Sequence, residues 1–408
     1  MGAVQGDFAP KFIVGRVNSK MRIAYLARTR LPDITANSVQ SVQVCAAFAG
    51  LGHSVTFIVI DDSDPSNELT WEQLSDFYDV QKRFKVERIA IPNARDSRLL
   101  YLWASLVSIP RIRKKLIKGG YDLAFSRDVL SAWIASHCRL NTVFEAHALI
   151  WAGRLQRLLF GRLVRSKYFL KLVSITQSLA EVYIRRYPEL QDRVIIAPDG
   201  AEICSQGVIE NAQSPLKGLS TKLKVGYVGH LYKGKGLEVV EAIAGSLPDV
   251  EFHIVGGRPE DVSFWEDRLK EDNVYFYGFV PREKLSHYYA ELDVCILPNQ
   301  ETVWAAGAAT VKNRLDIGSF TSPLKMFEYM AYGKAIVASD LPVLREVLHD
   351  GIAVLVDPSR AEEWEDAIRF FANAAERDRF GLAAREEFLM HYTWDIRSKK
   401  LLQSIAEK

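Results

Sequence analysis

The chain has 408 residues, 48% hydrophobic and 25% charged, with 15 prolines and 25 glycines. These ordinary globular proportions exclude a disordered, collagenous or low-complexity chain and suit about two to three domains. The net charge of +2 conceals an asymmetry: residues 1–200 hold 28 Lys and Arg against 18 Asp and Glu, and residues 201–408 hold 24 against 32. Two domains of opposite charge are therefore expected, the first facing something anionic.

Residues 1–20 lack the apolar core and cleavage site of a secretory signal and read as a tail. Met21 opens a strand, Arg22–Ala27, a helical pattern covers 38–50 and Gly52-His53 ends it. Buried strands follow at Ser54–Ile60, Arg88–Ile91, Asp122–Phe125, Thr142–Glu145, Leu172–Thr176 and Val194–Ala197. After a polar stretch near 203–220 the rhythm restarts with a strand at Lys224–Val228, a Gly-rich turn and a helix near 237–246. Strands recur at Glu251–Val255, Val274–Tyr277, Val294–Leu297, Ala335–Ala338 and Ala353–Val356, and roughly 361–406 is helical. Strands alternating with helices predict an α/β chain of two doubly wound parallel-sheet domains. No apolar run reaches the roughly 18 residues of a membrane span. The four cysteines (Cys45, Cys138, Cys204, Cys295) have no zinc spacing and read as buried thiols of a reducing compartment.

The run Thr321-Ser322-Pro323-Leu324-Lys325-Met326-Phe327-Glu328 continues to Gly333-Lys334. Ser322 suits an N-cap, Pro323 the first helical position and Gly333 a stop, which predicts a helix over 323–332. Lys325 then sits in the first turn, where the helix dipole disfavours a cation unless an anion such as a diphosphate docks on the free N–H groups. A plain capped helix with a surface Lys325–Glu328 pair is the other reading. Directly after a strand comes Gly229-His230-Leu231-Tyr232-Lys233-Gly234-Lys235-Gly236. Its glycines let backbone approach a phosphate, and His230, Lys233 and Lys235 supply positive charge. It nearly matches a P-loop, but Gly236 stands where that motif carries the hydroxyl for Mg²⁺. A strand-to-helix turn with solvated lysines remains open.

In Val143-Phe144-Glu145-Ala146-His147 a strand ends with Glu145 and His147 on one side, and strand carboxyl ends are where ligands bind in such folds. A structural histidine is the alternative. Asp62-Ser63-Asp64 has the spacing of a metal-holding pair but lies in a run of turn formers, and no metal site is expected. Residues 97–121 and 146–180 contain no Asp or Glu. The first carries Arg98, Arg111, Arg113, Lys114, Lys115 and Lys118 among Trp103 and several leucines; the second carries Arg154, Arg157, Arg162, Arg165, Lys167 and Lys171 among Trp151 and Phe160. Such basic amphipathic stretches suit an anionic membrane surface, the other reading being that the apolar faces are domain core and the cations are solvated. No nucleic-acid module is recognised.

The combination GHLYKGKG, FHIVGG, YFYGFVP and SPLKMFEYMAYGKAIVASDLPVLREVL resembles retaining glycosyltransferases of the GT-B fold, family GT4, over most of residues 21–400. That resemblance implies two Rossmann-like domains facing a cleft: a tail at 1–20, an acceptor- and membrane-facing domain at 21–200, a nucleotide-sugar domain at 201–380 and a helical segment at 381–408 crossing back. By motif, Ser322, Leu324 and Lys325 would hold the diphosphate with Lys235 assisting from the turn containing His230 and Gly234. Glu328 would bind the ribose. Gly256 and Gly257 would line the nucleotide pocket, the backbone at Phe279-Val280 would read the base, and His147 would face the donor sugar. Pro198-Asp199-Gly200 resembles the interdomain hinge and Tyr392-Thr393-Trp394 the start of the crossing helix.

This chain departs from the family at three places. Phe320 stands where the first glutamate of E-x7-E belongs, His230 replaces the usual phosphate-turn arginine, and no Gly-Gly occurs between Thr29 and Val39. The resemblance implies metal-independent transfer of a hexose from a UDP- or GDP-sugar, with no cofactor, to a lipid-linked or polysaccharide acceptor. It places the enzyme on the cytoplasmic face of the plasma membrane. A P-loop hydrolase or kinase, and a non-catalytic homologue that binds nucleotide sugar or membrane, are the rival readings.

Overall fold

The computed structural model describes residues 19–62, 70–92, 98–150, 153–203, 214–218, 221–303 and 316–407. Most of the N-terminal tail, Asp64, the side chains of Arg98 to Leu102, Trp151 and Cys204 lie outside the described residues. By contacts the chain divides into two units: residues 1–175, 179–197 and 394–408 form one, and 176–178 with 198–393 the other.

The first unit alternates β1 (Arg22–Ala27), α1 (Ala36–Gly50), β2 (Ser54–Asp61), α2 (Trp71–Tyr78), β3 (Lys85–Ala90), α3 (Arg98–Gly119), β4 (Leu123–Ser126), α4 (Val129–His137), β5 (Asn141–Ala146), α5 (Arg154–Val164), β6 (Phe169–Ser174), α6 (Gln177–Arg186) and β7 (Val194–Ile196). Its seven strands are all parallel, in the order β3-β2-β1-β4-β5-β6-β7. Central strands are buried on both faces, which is why they read as unbroken apolar runs. Tyr25 of β1 stacks on Phe125 of β4 with centroids 5.5 Å apart and meets Phe57 of β2 edge-on at 5.4 Å.

Residue 88 is too late a start for β3. This strand lies at the sheet edge, where charged residues are tolerated, and Lys85 pairs with Glu87 at 2.6 Å.

The second unit runs β8 (Leu223–Val228), α7 (Leu237–Ile243), β9 (Val250–Val255), α8 (Pro259–Arg268), β10 (Val274–Gly278), α9 (Arg282–Glu291), β11 (Val294–Leu297), α10 (Leu324–Ala331), β12 (Ala335–Ser339), α11 (Pro342–Arg345), β13 (Val354–Val356), α12 (Ala361–Phe370) and α13 (Ala374–His391). Its parallel sheet has the order β10-β9-β8-β11-β12-β13. The order reverses between β8 and β11, and the carboxyl ends of strands at such a reversal are where open α/β sheets bind ligands. Both faces are covered, by a cluster that includes Trp364, Phe252 and Ile254 and another that includes Phe327, Tyr329 and Phe388.

The last helix, α14 (Trp394–Ala406), belongs to the first unit, where it lies against α1. Sheet on one side and helices on the other explain why Ser38 to Phe48 of α1 are all buried. Thus the expected α/β chain of two parallel sheets, each flanked by helices, is present. Among the described residues no helix is long and apolar enough to cross a membrane.

Candidate functional site

At the switch point of the second sheet, β8 ends and Gly229 donates its N–H to Val255 O at 2.8 Å. Gly256 N–H donates to Gly278 O at 2.7 Å, so the ends of β8, β9 and β10 are laced together by glycine backbone. The close approach requires glycine at Gly256, where φ is +111° and a β-carbon would stand 2.3 Å from Gly229 O. Gly257 likewise has a positive φ. The turn from Gly229 to Gly236 then folds onto the segment after β11: Gln300 N–H donates to Gly234 O at 3.0 Å. A β-carbon on Gly236 would meet Pro298 O at 1.7 Å. Gly236 has a φ of +91°, so the hydroxyl-bearing residue of a P-loop cannot stand here without displacing that carbonyl.

Lys325 reaches this turn from α10. The helix begins one residue later than expected, with Pro323 at the N-cap and no side-chain cap, because Ser322 Oγ instead accepts from Asp199 N–H at 3.3 Å. The lysine side chain is 9% exposed and lies beside Gly229. Its Nζ has no hydrogen-bond partner and sits 3.7 Å above the ring centre of Tyr227, whose hydroxyl donates to His230 O at 2.5 Å. A cation over an aromatic face gains some of what burial removes.

Burial and then Lys235 push the Lys325 pKa well below its ordinary value. Lys235, half-buried with Nζ 5.3 Å from the Tyr232 ring, is pushed down to about 8 by burial. His230 is also lowered, first by burial and then by Lys235, Arg258 and Lys325. All three groups are thus shifted toward their neutral forms, and an anion docked among them would draw them back toward the charged ones.

Glu328 lies one turn further along α10. Its Oε2 accepts from Tyr289 OH at 2.7 Å and its Oε1 is 3.4 Å from an Arg282 guanidinium nitrogen. Phe279 is exposed just beyond β10, while Val280 packs on the Phe327–Tyr329 cluster and Leu324 is half-buried. Asp316 Oδ1 accepts from Val303 and Gly318 N–H, a loop staple, and Glu301 is exposed. Asn299, fully buried just beyond β11, has neither amide atom hydrogen-bonded. Tyr227, Tyr289, Arg282 and Asn299 are additions that the motif reading missed; no spacing signal marks them, because sheet order alone brings them to this place.

His147 lies in the first unit, beyond β5. Its Nε2 is 3.5 Å from Glu145 Oε1, and Glu145 is fully buried against Arg397 of α14. Burial and then Arg127 lower the His147 pKa to about 4. Despite burial, Arg397 and then His147 hold the Glu145 carboxyl well below the usual range. Among the basic residues of α3, Arg113 and Lys114 are exposed, whereas Arg111 donates to Ala90 O at 2.7 Å and Lys115 pairs with Glu87 at 2.6 Å. Trp103, Leu106 and Ile117 of the same helix are exposed. Arg154 and Arg157 stand in the first turn of α5 beside exposed Leu155 and Leu158. Asp62 is taken up by a two-pronged pairing with Arg30 at 2.7 and 2.8 Å.

Residues 222–373 match the family described as Glycosyl transferases group 1. A stretch of 120 residues, 29% of this chain, is 27% identical to the Putative teichuronic acid biosynthesis glycosyltransferase TuaH of Bacillus subtilis strain 168 and covers 27% of it. The chain spans under two thirds of the curated relatives it matches, namely 31%, 27% and 59% of their lengths. Sucrose-phosphate synthase from Thermosynechococcus elongatus superposes over 94% of this chain and 98% of its own with a TM-score of 0.68 at 18% identity. Anabaena Alr3699/HepE, solved in complex with UDP and glucose, covers 95% of this chain and 100% of its own with a TM-score of 0.67 at 15% identity. At these identities the structural likeness carries the fold. What the comparisons carry is thus a match of residues 222–373, within the second unit, to Glycosyl transferases group 1, in a chain whose α/β fold is of the GT-B type.

Proposed function

We propose that this protein transfers a hexose from a nucleoside diphosphate sugar to a lipid-linked or polysaccharide acceptor, retaining anomeric configuration and using no metal. One observation carries the reading: the buried, unpartnered ammonium of Lys325 at the start of α10, facing the Gly229 turn with Lys235 close enough to depress its pKa. A buried cation without a partner is costly, and an anion at a helix N-terminus relieves the cost. HepE, of the same fold, is recorded with UDP and with UDP-glucose, and TuaH is named for teichuronic acid biosynthesis.

In this reading Lys325, Lys235 and the backbone of Ser322 and Leu324 hold the diphosphate. Glu328, fixed by Tyr289 and Arg282, takes the ribose hydroxyls. Gly234, Gly256, Gly257 and the Phe279-Val280 backbone form the nucleoside side, and His147 faces the sugar. As the C1–O bond to phosphate breaks, negative charge grows on the leaving group, and two or three charge-assisted hydrogen bonds of about 1.5–3 kcal/mol each meet it. The acceptor oxygen bonds to C1 on the same face, and its proton passes to the departing phosphate. The basic faces of α3 and α5 would hold the enzyme on the inner face of the plasma membrane.

The test is a thermal-shift screen against UDP-, GDP- and ADP-sugars, followed by transfer assays of Lys325→Ala. One donor class should raise the melting temperature. Lys325→Ala should cut kcat about 100-fold or more while remaining folded. An unchanged rate at saturating donor removes Lys325 from the reaction. Donor binding with no turnover on any lipid-linked or polysaccharide acceptor favours the non-catalytic reading that Phe320 and His230 leave open.

A further inference from the structure

A cavity of about 680 Å³ opens on the first unit between α5 and the end of α6, remote in sequence from every residue assigned above to the nucleotide. Four arginines line it: Arg154, Arg157, Arg165 and Arg186. The one carboxylate among the lining residues, Glu189, is engaged by Arg165 at 3.2 Å in an exposed pair. The walls are fixed, because Tyr187 OH donates to Arg157 O at 3.3 Å and the Tyr187 ring packs on Phe160 at 5.1 Å. α5 starts without a side-chain cap or any acid in its first turn, and carries arginine there instead. Like charges converging on one cavity repel unless an anion lies between them. Guanidinium forks match phosphate oxygens in geometry as well as charge.

The apolar neighbours choose the anion. Leu158 lines the cavity and is 51% exposed, and Leu155 beside it is 46% exposed. A free phosphate would satisfy the arginines and leave both leucines in water, whereas a phosphate carried on an acyl chain engages both. We propose that this cavity receives the phosphodiester headgroups of an anionic lipid surface and is the anchoring point of the enzyme. This rests on the membrane-surface reading above and narrows it from two basic stretches to one. It also ranks α5 above α3, where Arg111 and Lys115 already have partners within the unit.

The test is co-sedimentation with phosphatidylcholine vesicles, with and without phosphatidylglycerol. The proteins are the parent, Arg157→Glu/Arg186→Glu, Arg157→Gln/Arg186→Gln and Arg113→Glu/Lys114→Glu, each first shown to melt like the parent. The parent is expected on anionic vesicles only. Charge reversal in the cavity should weaken binding about tenfold or more, neutralisation less, and the α3 variant least. Parent-like binding by both cavity variants overturns the inference. If the α3 variant alone then loses binding, the membrane reading survives without it; if the parent ignores anionic vesicles, both fall. Inorganic phosphate that displaces the parent from vesicles only as well as equal ionic strength of chloride does supports a lipid-borne anion. Stoichiometric phosphate binding abolished by Arg157→Gln/Arg186→Gln, with vesicle binding intact, overturns it in favour of a free anion.

Discussion

Burial works against the protons of Lys325 and Lys235, and that shift gives the site a pH signature. Unfolded, both titrate near 10.5; folded, Lys235 falls to about 8 and Lys325 lies well below its ordinary value. Between those limits the unfolded chain binds more protons than the folded one, so folding without ligand becomes more favourable as pH rises through that window. A bound diphosphate reverses the bias by stabilising both ammonium groups. UDP binding should therefore take up protons near pH 8 and weaken as the pH rises further. Calorimetry in two buffers of different ionisation enthalpy reads the uptake directly, and a zero uptake there would deny the lysines contact with the diphosphate. His147 makes no such demand: with a pKa lowered to about 4, its ring is neutral from mildly acidic pH upward. In the role proposed for it, this ring would bring no charge.

At the scale of the element, the Gly229–Gly236 turn works because the segment after β11 crosses it without clearance. Gly236→Ala would place a methyl where Pro298 O now stands and force a left-handed φ on a residue with a β-carbon. The conformation alone costs about 1–2 kcal/mol, and displacing the carbonyl adds a comparable amount. The variant should melt several degrees lower and bind UDP at least about tenfold more weakly, whereas Gly245→Ala, which meets nothing within 4 Å, should do neither. This turn was legible in the chain: glycines after a strand, two lysines, then a helix. β8 and β11 were legible as apolar runs, and so was α10, one residue early because a Ser-Pro pair looks like a cap whatever the serine bonds to. Tyr227 beneath Lys325 was not, because alternation marks it only as a core residue of β8. Its role depends on α10 returning to the same strand end from far along the chain.

Across the whole molecule, the chain leaves the first unit at Ala197 and re-enters it at Trp394, and one buried contact fastens both ends. Arg397 of α14 pairs with Glu145 at the end of β5 and donates to Ala197 O at 3.1 Å. Neither Glu145 nor Arg397 exposes more than 3% of its side chain. Periodicity could not pair them, since they stand 252 positions apart in the sequence. Removing one partner from a buried pair strands the other, so Arg397→Met should cost about 3–5 kcal/mol of first-unit stability. Adding Glu145→Gln should restore most of it, because the stranded charge is gone. The carboxyl of Glu145 is held below its unfolded value of 4.5, so its contribution is present above that pH and fades as the pH falls further. The stability gap between the parent and the Arg397→Met/Glu145→Gln double variant should close accordingly in acid, as urea titrations across a range from about pH 3 to neutrality would record. All residues proposed to grip the nucleotide belong to the second unit, so the melting shift caused by UDP should survive in Arg397→Met. Loss of that shift together with first-unit stability would mean that the two sheets do not unfold as separate bodies.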